Sequence, residues 1–403
     1  MSRAIKPAYK EAFHFDGLLA LTSILIIVFG YIMVVSSSLH WAVQKDNGNL
    51  FDPLFAEPFK HEIVKQLMHI SIGISLGYVL AKNIPMRFWE KQGGLLFGIG
   101  LLLLIVVLIP NVGTTINGSV RWLKIAGFSI QVSELMKFFA VIYMAGYVSR
   151  HHKSICKSAF SLLKPLLLFG FACKLLLMEP DFGSSAVLII IAMGIMFLAG
   201  AQLSQFILFF VILSGAGAIL VAGSGYRSLR ATSFINPFDD THGSDYQLSN
   251  ALIAIGRGEW LGVGLGSGVQ KLFYLPEANS DFIFSVIGEE LGFMGVLMVI
   301  LLFATLVWRA FAIAKAAEMA EQRFSAYLCY GIGIWFAVQV FVNMGVNMGI
   351  LPTKGLTLPL MSYGGSSMII MCCTVALLFR VHSDAVELNA SSPKKRFGAW
   401  ANQ

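Results

Sequence analysis

Charged residues are scarce in this chain of 403 residues. Asp, Glu, Lys and Arg together make up 13% of it, whereas hydrophobic residues make up 57%, and the mean hydropathy is +0.74. No soluble core accounts for so much apolar sequence, so the composition excludes a water-soluble protein. It indicates a polytopic membrane protein instead.

Cysteine is also scarce, and its positions exclude two further classes of protein. One of the five cysteines, Cys156, lies in a predicted inner loop, and the other four lie inside apolar runs. Because none lies in a predicted outer segment, no disulfide framework is expected. No Cys/His cluster has zinc-ligand spacing, and His151-His152 is interpreted as the basic face of a loop. The chain also lacks a fixed-period repeat.

Apolar runs that approach membrane-spanning length recur along the whole chain. About ten of them come near the ~20 residues that one crossing requires. They predict an all-α polytopic membrane protein with about ten transmembrane helices. The runs are 17–39, 63–81, 93–110, 134–149, 165–178, 183–200, 206–223, 284–308, 324–348 and 363–379.

Lys and Arg are distributed unequally between the two sides of the predicted membrane. If both termini are cytoplasmic, 17 of the 29 basic residues fall in inner segments and 9 in outer segments of greater total length. This bias satisfies the positive-inside rule for an even number of spans. The net charge of +7 therefore reflects topology, and no nucleic-acid partner is expected.

The polar segments divide a single membrane domain into predicted parts. Residues 1–16 form a cytoplasmic N-terminus, 224–281 a large outer loop between spans 7 and 8, and 382–403 a cytoplasmic basic tail. The last 20 residues are predicted to be disordered. Since the inner loops are mostly short, the function is expected to face outward. Within the outer loop, apolar residues of 246–255 recur at helical spacing and predict a short amphipathic helix.

Six glycines between Gly256 and Gly268 follow that predicted helix. They allow a dinucleotide-binding interpretation, but no strand precedes them and no βαβ unit surrounds them. Close backbone packing, or a re-entrant turn, is the favoured interpretation.

Three carboxylates at the start of the run 284–308 are the leading candidates for chemistry. Asp281 lies at its mouth, and Glu289 and Glu290 lie inside it. Ionisable groups at bilayer depth cost at least about 2.5 kcal/mol each, so they persist mainly where they line a polar cavity. Asp281 could instead be a plain helix N-cap, although a cap does not explain the two glutamates.

Further charged clusters lie at the other membrane boundaries. Glu134 and Lys137 are three residues apart and share a helix face, either as a structural ion pair or as partners of a catalytic acid. Arg121 precedes them in the same outer segment. Between two runs, 179–181 reads Glu-Pro-Asp, which also fits a tight outer turn.

A polar, glycine-rich segment from Asn343 to Ser367 separates the last two runs, and Lys354 is its one full charge. A lysine and backbone amides at a helix start suit a phosphate or pyrophosphate. The alternative is small-residue helix packing.

These clusters together resemble the SEDS family (shape, elongation, division and sporulation proteins), and its division branch more than its elongation branch. They occur in the family's order and cover nearly all spans. The matching segments are Gly118-Ser-Val-Arg-Trp122, Gln131-Val-Ser-Glu-Leu-Met-Lys137, Glu179-Pro-Asp-Phe-Gly183, Tyr246-Gln247, Ala254-Ile-Gly-Arg-Gly258, Leu275-Pro-Glu-Ala278, Ser280-Asp-Phe-Ile-Phe284, Gly288-Glu-Glu-Leu-Gly292 and 343–367. The chain departs from the family at Val132, usually proline, and at Asn279, usually histidine.

The resemblance implies a peptidoglycan glycosyltransferase that polymerises lipid II at the outer face of the bacterial cytoplasmic (inner) membrane, at the division septum. It implies as partners a class B penicillin-binding transpeptidase of the FtsI type and other divisome membrane proteins. Asp281 would be the catalytic base, with Glu134 and Lys137 as its membrane-embedded partners. The residues assigned to substrate binding are Arg121, Gln247, Glu289, Glu290, Lys354 and Ser366.

No cofactor is certain, although a divalent cation, Mg²⁺ or Mn²⁺, could help neutralise the pyrophosphate. Two other functions remain open at this point. A lipid II flippase would also use polar groups between broken helices, although no inverted repeat is detectable. A scaffold that only recruits a transpeptidase would have little use for carboxylates inside the membrane.

Overall fold

The computed structural model describes residues 13–45, 62–116, 119–125, 128–155, 160–223, 234, 236–239, 246–272, 274–352 and 355–391. Its helices are α1 (Gly17–Lys45), α2 (Glu62–Asn83), α3 (Met86–Val107), α4 (Val132–Ile155), α5 (Phe160–Met178), α6 (Phe182–Leu198), α7 (Leu203–Ala222), α8 (Tyr246–Arg257), α9 (Ile283–Met319), α10 (Arg323–Asn347) and α11 (Gly365–Ser391). Its strands are β1 (Gly113–Ile116), β2 (Ser119–Ile125) and β3 (Phe128–Gln131).

Seven of the described helices, α1 to α4 and α9 to α11, are long and apolar enough to cross a membrane. The prediction of a helical, polytopic membrane protein is therefore confirmed. Each of the predicted apolar runs coincides with a helix, including α5, α6 and α7. The number of ten crossings and the side on which each loop lies stay predictions.

The centre of the bundle is formed by α4 and α10. Of the seven candidate spans, α4 is the most buried, and it packs against α3, α6 and α10. Trp335 and Phe336 of α10 are both fully buried in this region. The polar side chains of Glu134, Lys137, Gln339, Asn343 and Asn347 are buried in the same two helices, so they lie where lipid and water are excluded.

A small antiparallel sheet joins α3 to α4, and sequence analysis did not predict it. Its order is β1-β2-β3, with Thr114 opposite Trp122 and Leu123 opposite Ile130. β-Branched and aromatic residues favour such pleated pairs. Between the apolar runs 93–110 and 134–149, the hydropathy pattern predicts only a polar connection. The sheet brings Arg121 of β2 to the turn between α5 and α6.

The predicted amphipathic helix in the long outer segment is present as α8. The glycines after it pack against α9 at a break, since Gly292 has φ 63° and ψ −159°. A Cβ on Gly258 would lie 1.8 Å from the Gly288 carbonyl oxygen, and one on Gly262 would lie 2.2 Å from the Glu290 carbonyl oxygen. Close backbone packing, the favoured interpretation of these glycines, is therefore confirmed.

The break in α9 leaves backbone groups that need new partners in a low-dielectric environment. Residues 256–268, the glycine segment, supply these partners. Two of their N–H groups donate to α9, and two of their carbonyl oxygens accept from it. The bonds are Val263 N to Glu289 O at 3.0 Å, Gly264 N to Glu290 O at 3.0 Å, Phe293 N to Glu259 O at 2.9 Å and Met294 N to Trp260 O at 3.2 Å.

The predicted disorder of the last 20 residues is wrong for 384–391, which continue α11 as helix. An ion pair of 3.0 Å between Arg380 Nε and Asp384 Oδ1 stabilises this extension at the i,i+4 spacing. The backbone N–H of His14 donates to Ser383 Oγ at 3.0 Å, and Asp16 pairs with Arg309 of α9. Residues 392–403 lie outside the described part of the chain.

The packing of the glycine segment generates a prediction. Gly258→Ala should lower the free energy of unfolding by about 1–3 kcal/mol, because the new methyl group meets a backbone oxygen that has little room to move. Gly256→Ala is the matched control: nothing lies within 4 Å of its Cβ position, and alanine is the better helix former. Thermal unfolding in detergent measures both, and equal melting temperatures would contradict the packing.

Candidate active site

Asp281 lies on an irregular segment that ends where α9 begins. The N-cap of α9 is Phe282, and no side chain caps that end, so the interpretation of Asp281 as a plain N-cap is wrong. Its half-buried side chain lies against the backbone of Gly355, where a Cβ would come within 2.6 Å of Oδ2. Only glycine allows the backbone to approach the carboxylate this closely.

Two asparagines on α10 hold the backbone at Asp281. The amide groups of Asn343 and Asn347 donate to the Asp281 carbonyl oxygen at 2.9 and 3.0 Å. Asn347 Oδ1 in turn accepts from the N–H of Ser285, at 3.2 Å, and from its hydroxyl, at 2.7 Å. Both asparagines are buried, so α10 fixes the position of Asp281 relative to the first turn of α9.

Gln339, one turn before Asn343 on α10, connects this site to the predicted ion pair. Lys137 Nζ contacts Glu134 Oε1 at 2.7 Å and donates to Gln339 Oε1 at 2.9 Å. The Gln339 amide donates to the Thr357 carbonyl oxygen at 2.9 Å, close to Gly355 in the chain. The ion pair predicted from the sequence spacing is thus present, and it is buried.

Sequence analysis missed Gln339, although a signal for it exists. Gln339, Asn343 and Asn347 are spaced at i, i+4 and i+8, which places three amides along one face of an otherwise apolar helix. We call these three residues the amide ladder.

The electrostatic environment of Asp281 opposes its ionisation. Burial raises the pKa of Asp281 to about 7, and the carboxylates of Glu277 and Asp181 add to this effect against the opposing charge of Arg121. A carboxyl with a pKa near neutrality is suited to accept and release a proton at physiological pH.

Arg121 reaches from β2 to the turn between α5 and α6. Its guanidinium donates to the carbonyl oxygens of Glu179, at 3.1 Å, and Pro180, at 2.5 Å. Asp181 in the same turn caps α6 by accepting from the Ser184 N–H at 3.2 Å. The tight-turn interpretation of Glu179-Pro180-Asp181 therefore holds.

Glu179 is a buried acid beside this arginine. Neither of its carboxyl oxygens has a hydrogen-bond partner among the described residues. Burial raises the pKa of Glu179 to about 8, helped by Asp181 and opposed by Arg121. At neutral pH this side chain is therefore mostly protonated and itself offsets little of the charge of Arg121.

The remaining predicted site residues lie in different surroundings. Ser366 accepts a hydrogen bond of 2.9 Å from the Gln131 N–H and so joins the starts of α11 and α4. Gln247 is half-buried on α8. Glu289 and Glu290 are fully buried at the break of α9, and their carboxylates bind the glycine segment and its neighbours. Lys354 lies outside the described residues.

Asn279, where the family usually has histidine, ties the Asp281 segment to three helices. Its amide donates to Glu62 of α2 and, at 3.4 Å, to Ser38 of α1. Its main-chain carbonyl oxygen accepts from the Tyr363 N–H at 2.8 Å, just before α11. The side-chain amide of Asn279 thus links the Asp281 segment to α1 and α2.

Comparison with known proteins identifies the family. A family model described as "Cell cycle protein", which covers FtsW, RodA and SpoVE, matches residues 16–387. The chain belongs to the FtsW/RodA/SpoVE family. A relative from Methylomonas methanica, named as a probable peptidoglycan glycosyltransferase FtsW, is 54% identical over 97% of this chain and 98% of its own. One of the same name from Methylococcus capsulatus is 48% identical over 96% of this chain and 94% of its own.

Solved structures of this family share the fold. A chain from a peptidoglycan synthase complex, studied for the coordination of polymerization and crosslinking, matches with a TM-score of 0.74 at 26% identity. It covers 93% of this chain and 99% of its own. The rod shape determining protein RodA of Thermus thermophilus matches with a TM-score of 0.65 at 26% identity, over 92% of this chain and 97% of its own. The resemblance read from the sequence motifs is therefore confirmed.

The divalent cation considered from the sequence has no ligand cluster among the described residues. Within those ranges, no three His, Cys, Asp or Glu side chains lie close enough together to hold a metal ion. The participation of Mg²⁺ or Mn²⁺ with the substrate stays a prediction.

The buried ion pair generates a second prediction. Glu134→Gln or Lys137→Met should each destabilise the protein by roughly 3–5 kcal/mol, because each leaves one charge unpaired in a low-dielectric interior. The double variant should be less destabilised than the sum of the two singles. Thermal unfolding of all four proteins measures the coupling, with Lys174→Met, at an exposed position of α5, as control. Additive effects would show that the two residues act independently.

Proposed function

We propose that the protein is a peptidoglycan glycosyltransferase that polymerises lipid II, with Asp281 as the general base. The observation that carries this proposal is the half-buried Asp281 carboxyl with a pKa of about 7, on a backbone held by two buried asparagines. The relatives from Methylomonas methanica and Methylococcus capsulatus, both named as probable peptidoglycan glycosyltransferases, support the glycosyltransferase activity over nearly the full chain.

In the proposed reaction, Asp281 removes the proton from the hydroxyl group of an acceptor sugar. The resulting oxygen attacks the anomeric carbon of a second lipid-linked disaccharide, and the bond from that carbon to the pyrophosphate breaks. The departing lipid pyrophosphate carries negative charge, which Arg121 is suited to stabilise. Lys354 is a second candidate for this role, since it directly precedes the glycine that lies against Asp281.

Glu134 and Lys137 contribute through position in this proposal. Lys137 holds the Gln339 amide, which binds the Thr357 carbonyl oxygen and so supports the 355–358 segment beneath Asp281. A displacement of about 1 Å in the reacting groups is enough to lower a rate by ~10²-fold. The pair therefore matters for the rate without touching the reacting atoms.

The setting of the reaction is also proposed. The positive-inside bias supports cytoplasmic termini and an active site at the outer face of the cytoplasmic membrane. The division branch of the family supports a role at the septum, with a class B penicillin-binding transpeptidase of the FtsI type and other divisome membrane proteins as partners. The structural likeness to a chain from a peptidoglycan synthase complex supports such a partnership.

A polymerisation assay tests the function. The purified protein, with and without the transpeptidase, is incubated with lipid II in liposomes, and glycan strands are separated by size. Transfer of lipid II across the bilayer without polymer would favour the flippase alternative, and neither activity would favour the scaffold. An arm with EDTA tests whether a divalent cation accompanies the pyrophosphate substrate.

The general base generates a third prediction. Asp281→Asn should lower the polymerisation rate by about 10²–10⁴-fold, because the side chain keeps its size but no longer accepts a proton. The variant should unfold at the wild-type temperature, since the backbone bonds from Asn343 and Asn347 remain. Asp239→Asn, at an exposed position of the outer segment, is the matched control. A near wild-type rate for Asp281→Asn would remove this residue from the mechanism.

The pKa of Asp281 generates a fourth prediction. A general base acts only when ionised, so the rate at low lipid II concentration should fall about tenfold per pH unit below pH 7. Glu277→Gln removes a neighbouring carboxylate that raises the pKa of Asp281, and it should move this acid limb to lower pH. Rates measured between pH 5 and 9 for both proteins test the assignment. If the acid limb of the pH–rate profile does not move in Glu277→Gln, that limb reports the titration of a group other than Asp281.

A further inference from the structure

Glu289 and Glu290 lie side by side at the break of α9, and both are fully buried. Their carboxylates are surrounded by donors. Glu289 accepts from Arg257 Nη1 at 3.0 Å, Val269 N at 2.8 Å and Gln270 N at 3.1 Å. Glu290 accepts from Lys271 Nζ at 2.5 Å, Ser36 Oγ at 2.7 Å and Gly266 N at 3.0 Å.

The same two residues also hold the glycine segment through their main chain, since their carbonyl oxygens accept from Val263 and Gly264. Gly268 passes so close that a Cβ there would lie 2.9 Å from Glu289 Oε2 and 3.0 Å from Glu290 Oε1. The carboxylates therefore enclose the 263–271 backbone from several sides.

This contact continues to the segment that carries the base. Gln270 donates its N–H to Glu289 and accepts, through its carbonyl oxygen, the N–H of Leu275 at 2.8 Å. Leu275 is buried, and the chain reaches Asp281 six residues later. Glu289 is thus linked through Gln270 to the start of residues 275–281.

The surroundings of Glu289 and Glu290 argue against direct contact of their carboxylates with the substrate. Lipid II carries an anionic pyrophosphate, which two carboxylates would repel. Each carboxylate is instead bound by one basic side chain and by at least one backbone amide, which suits a group that holds a loop in place.

We propose that Glu289 and Glu290 form a carboxylate clamp, a pair of positioning residues that fixes the 263–271 segment against the break of α9 and thereby orients Asp281. The inference rests on the proposed function for its kinetic consequence. It replaces the substrate-binding role predicted for both residues from the sequence.

Hydrogen exchange of the full-length protein in nanodiscs tests the clamp without an activity assay. Glu289→Gln should speed exchange at Val269 and Gln270 about tenfold, because a charged acceptor holds an amide more tightly than a neutral one. Glu290→Gln should do the same at Gly266. Glu259→Gln, at an exposed position four residues before the 263–271 segment, is the matched control and should leave all three amides unchanged. Unchanged exchange in both clamp variants would overturn the proposal.

Kinetics with lipid II then separate positioning from substrate contact. Glu290→Gln should lower kcat by about 10–10²-fold with little change in KM, because the base is misplaced while the substrate site is intact. Glu290→Gln with Lys271→Gln should recover much of kcat, since the buried lysine charge is removed together with its partner. A raised KM with unchanged kcat would overturn the clamp in favour of substrate binding. If the wild-type protein makes no polymer, the proposed function fails, and the exchange data still decide the clamp.

Discussion

A polar side chain inside this helix bundle must find its hydrogen-bond partners within the protein, because the bilayer core offers none. The consequence is visible along α10, where Gln339, Asn343 and Asn347 each bond to groups on other segments. Through these bonds one helix connects the Lys137 ion pair, the 355–358 segment and the backbone of Asp281. Few geometries satisfy all these hydrogen-bond partners at once. The need to pair the buried amides therefore also fixes the position of the candidate base, Asp281.

The features that could be predicted from the sequence are those that depend on local spacing. Apolar runs indicated the helices because burial in lipid requires a continuous stretch of about 20 residues. Glu134 and Lys137 were paired correctly because three residues separate neighbours on one helix face. The family motifs indicated Asp281 by resemblance, but its environment is a property of the folded chain.

The features that could not be predicted depend on contacts between distant segments. The run 284–308 contains no proline, so its sequence does not predict the break of α9 at Gly292. The helix breaks there because residues 258–264 supply replacement hydrogen bonds. The sheet was missed because its strands are short and polar enough to look like a loop. The spacing of the three amides on α10 could have indicated Gln339 itself, but not its partners, since Lys137 and Thr357 lie 202 and 18 residues away along the chain.

Negative charge near Asp281 has two opposite effects on the proposed reaction. Under the proposed function, the site must raise the pKa of its base, which negative neighbours achieve, yet it must also bind an anionic pyrophosphate, which those neighbours would repel. Glu277 and Asp181 contribute to the first requirement. Glu179, with a pKa of about 8, is mostly neutral at physiological pH and so does not cancel the charge of Arg121. A buried acid that remains protonated beside an arginine would thus let one small region hold the proposed carboxylate base and a proposed cationic site for pyrophosphate together.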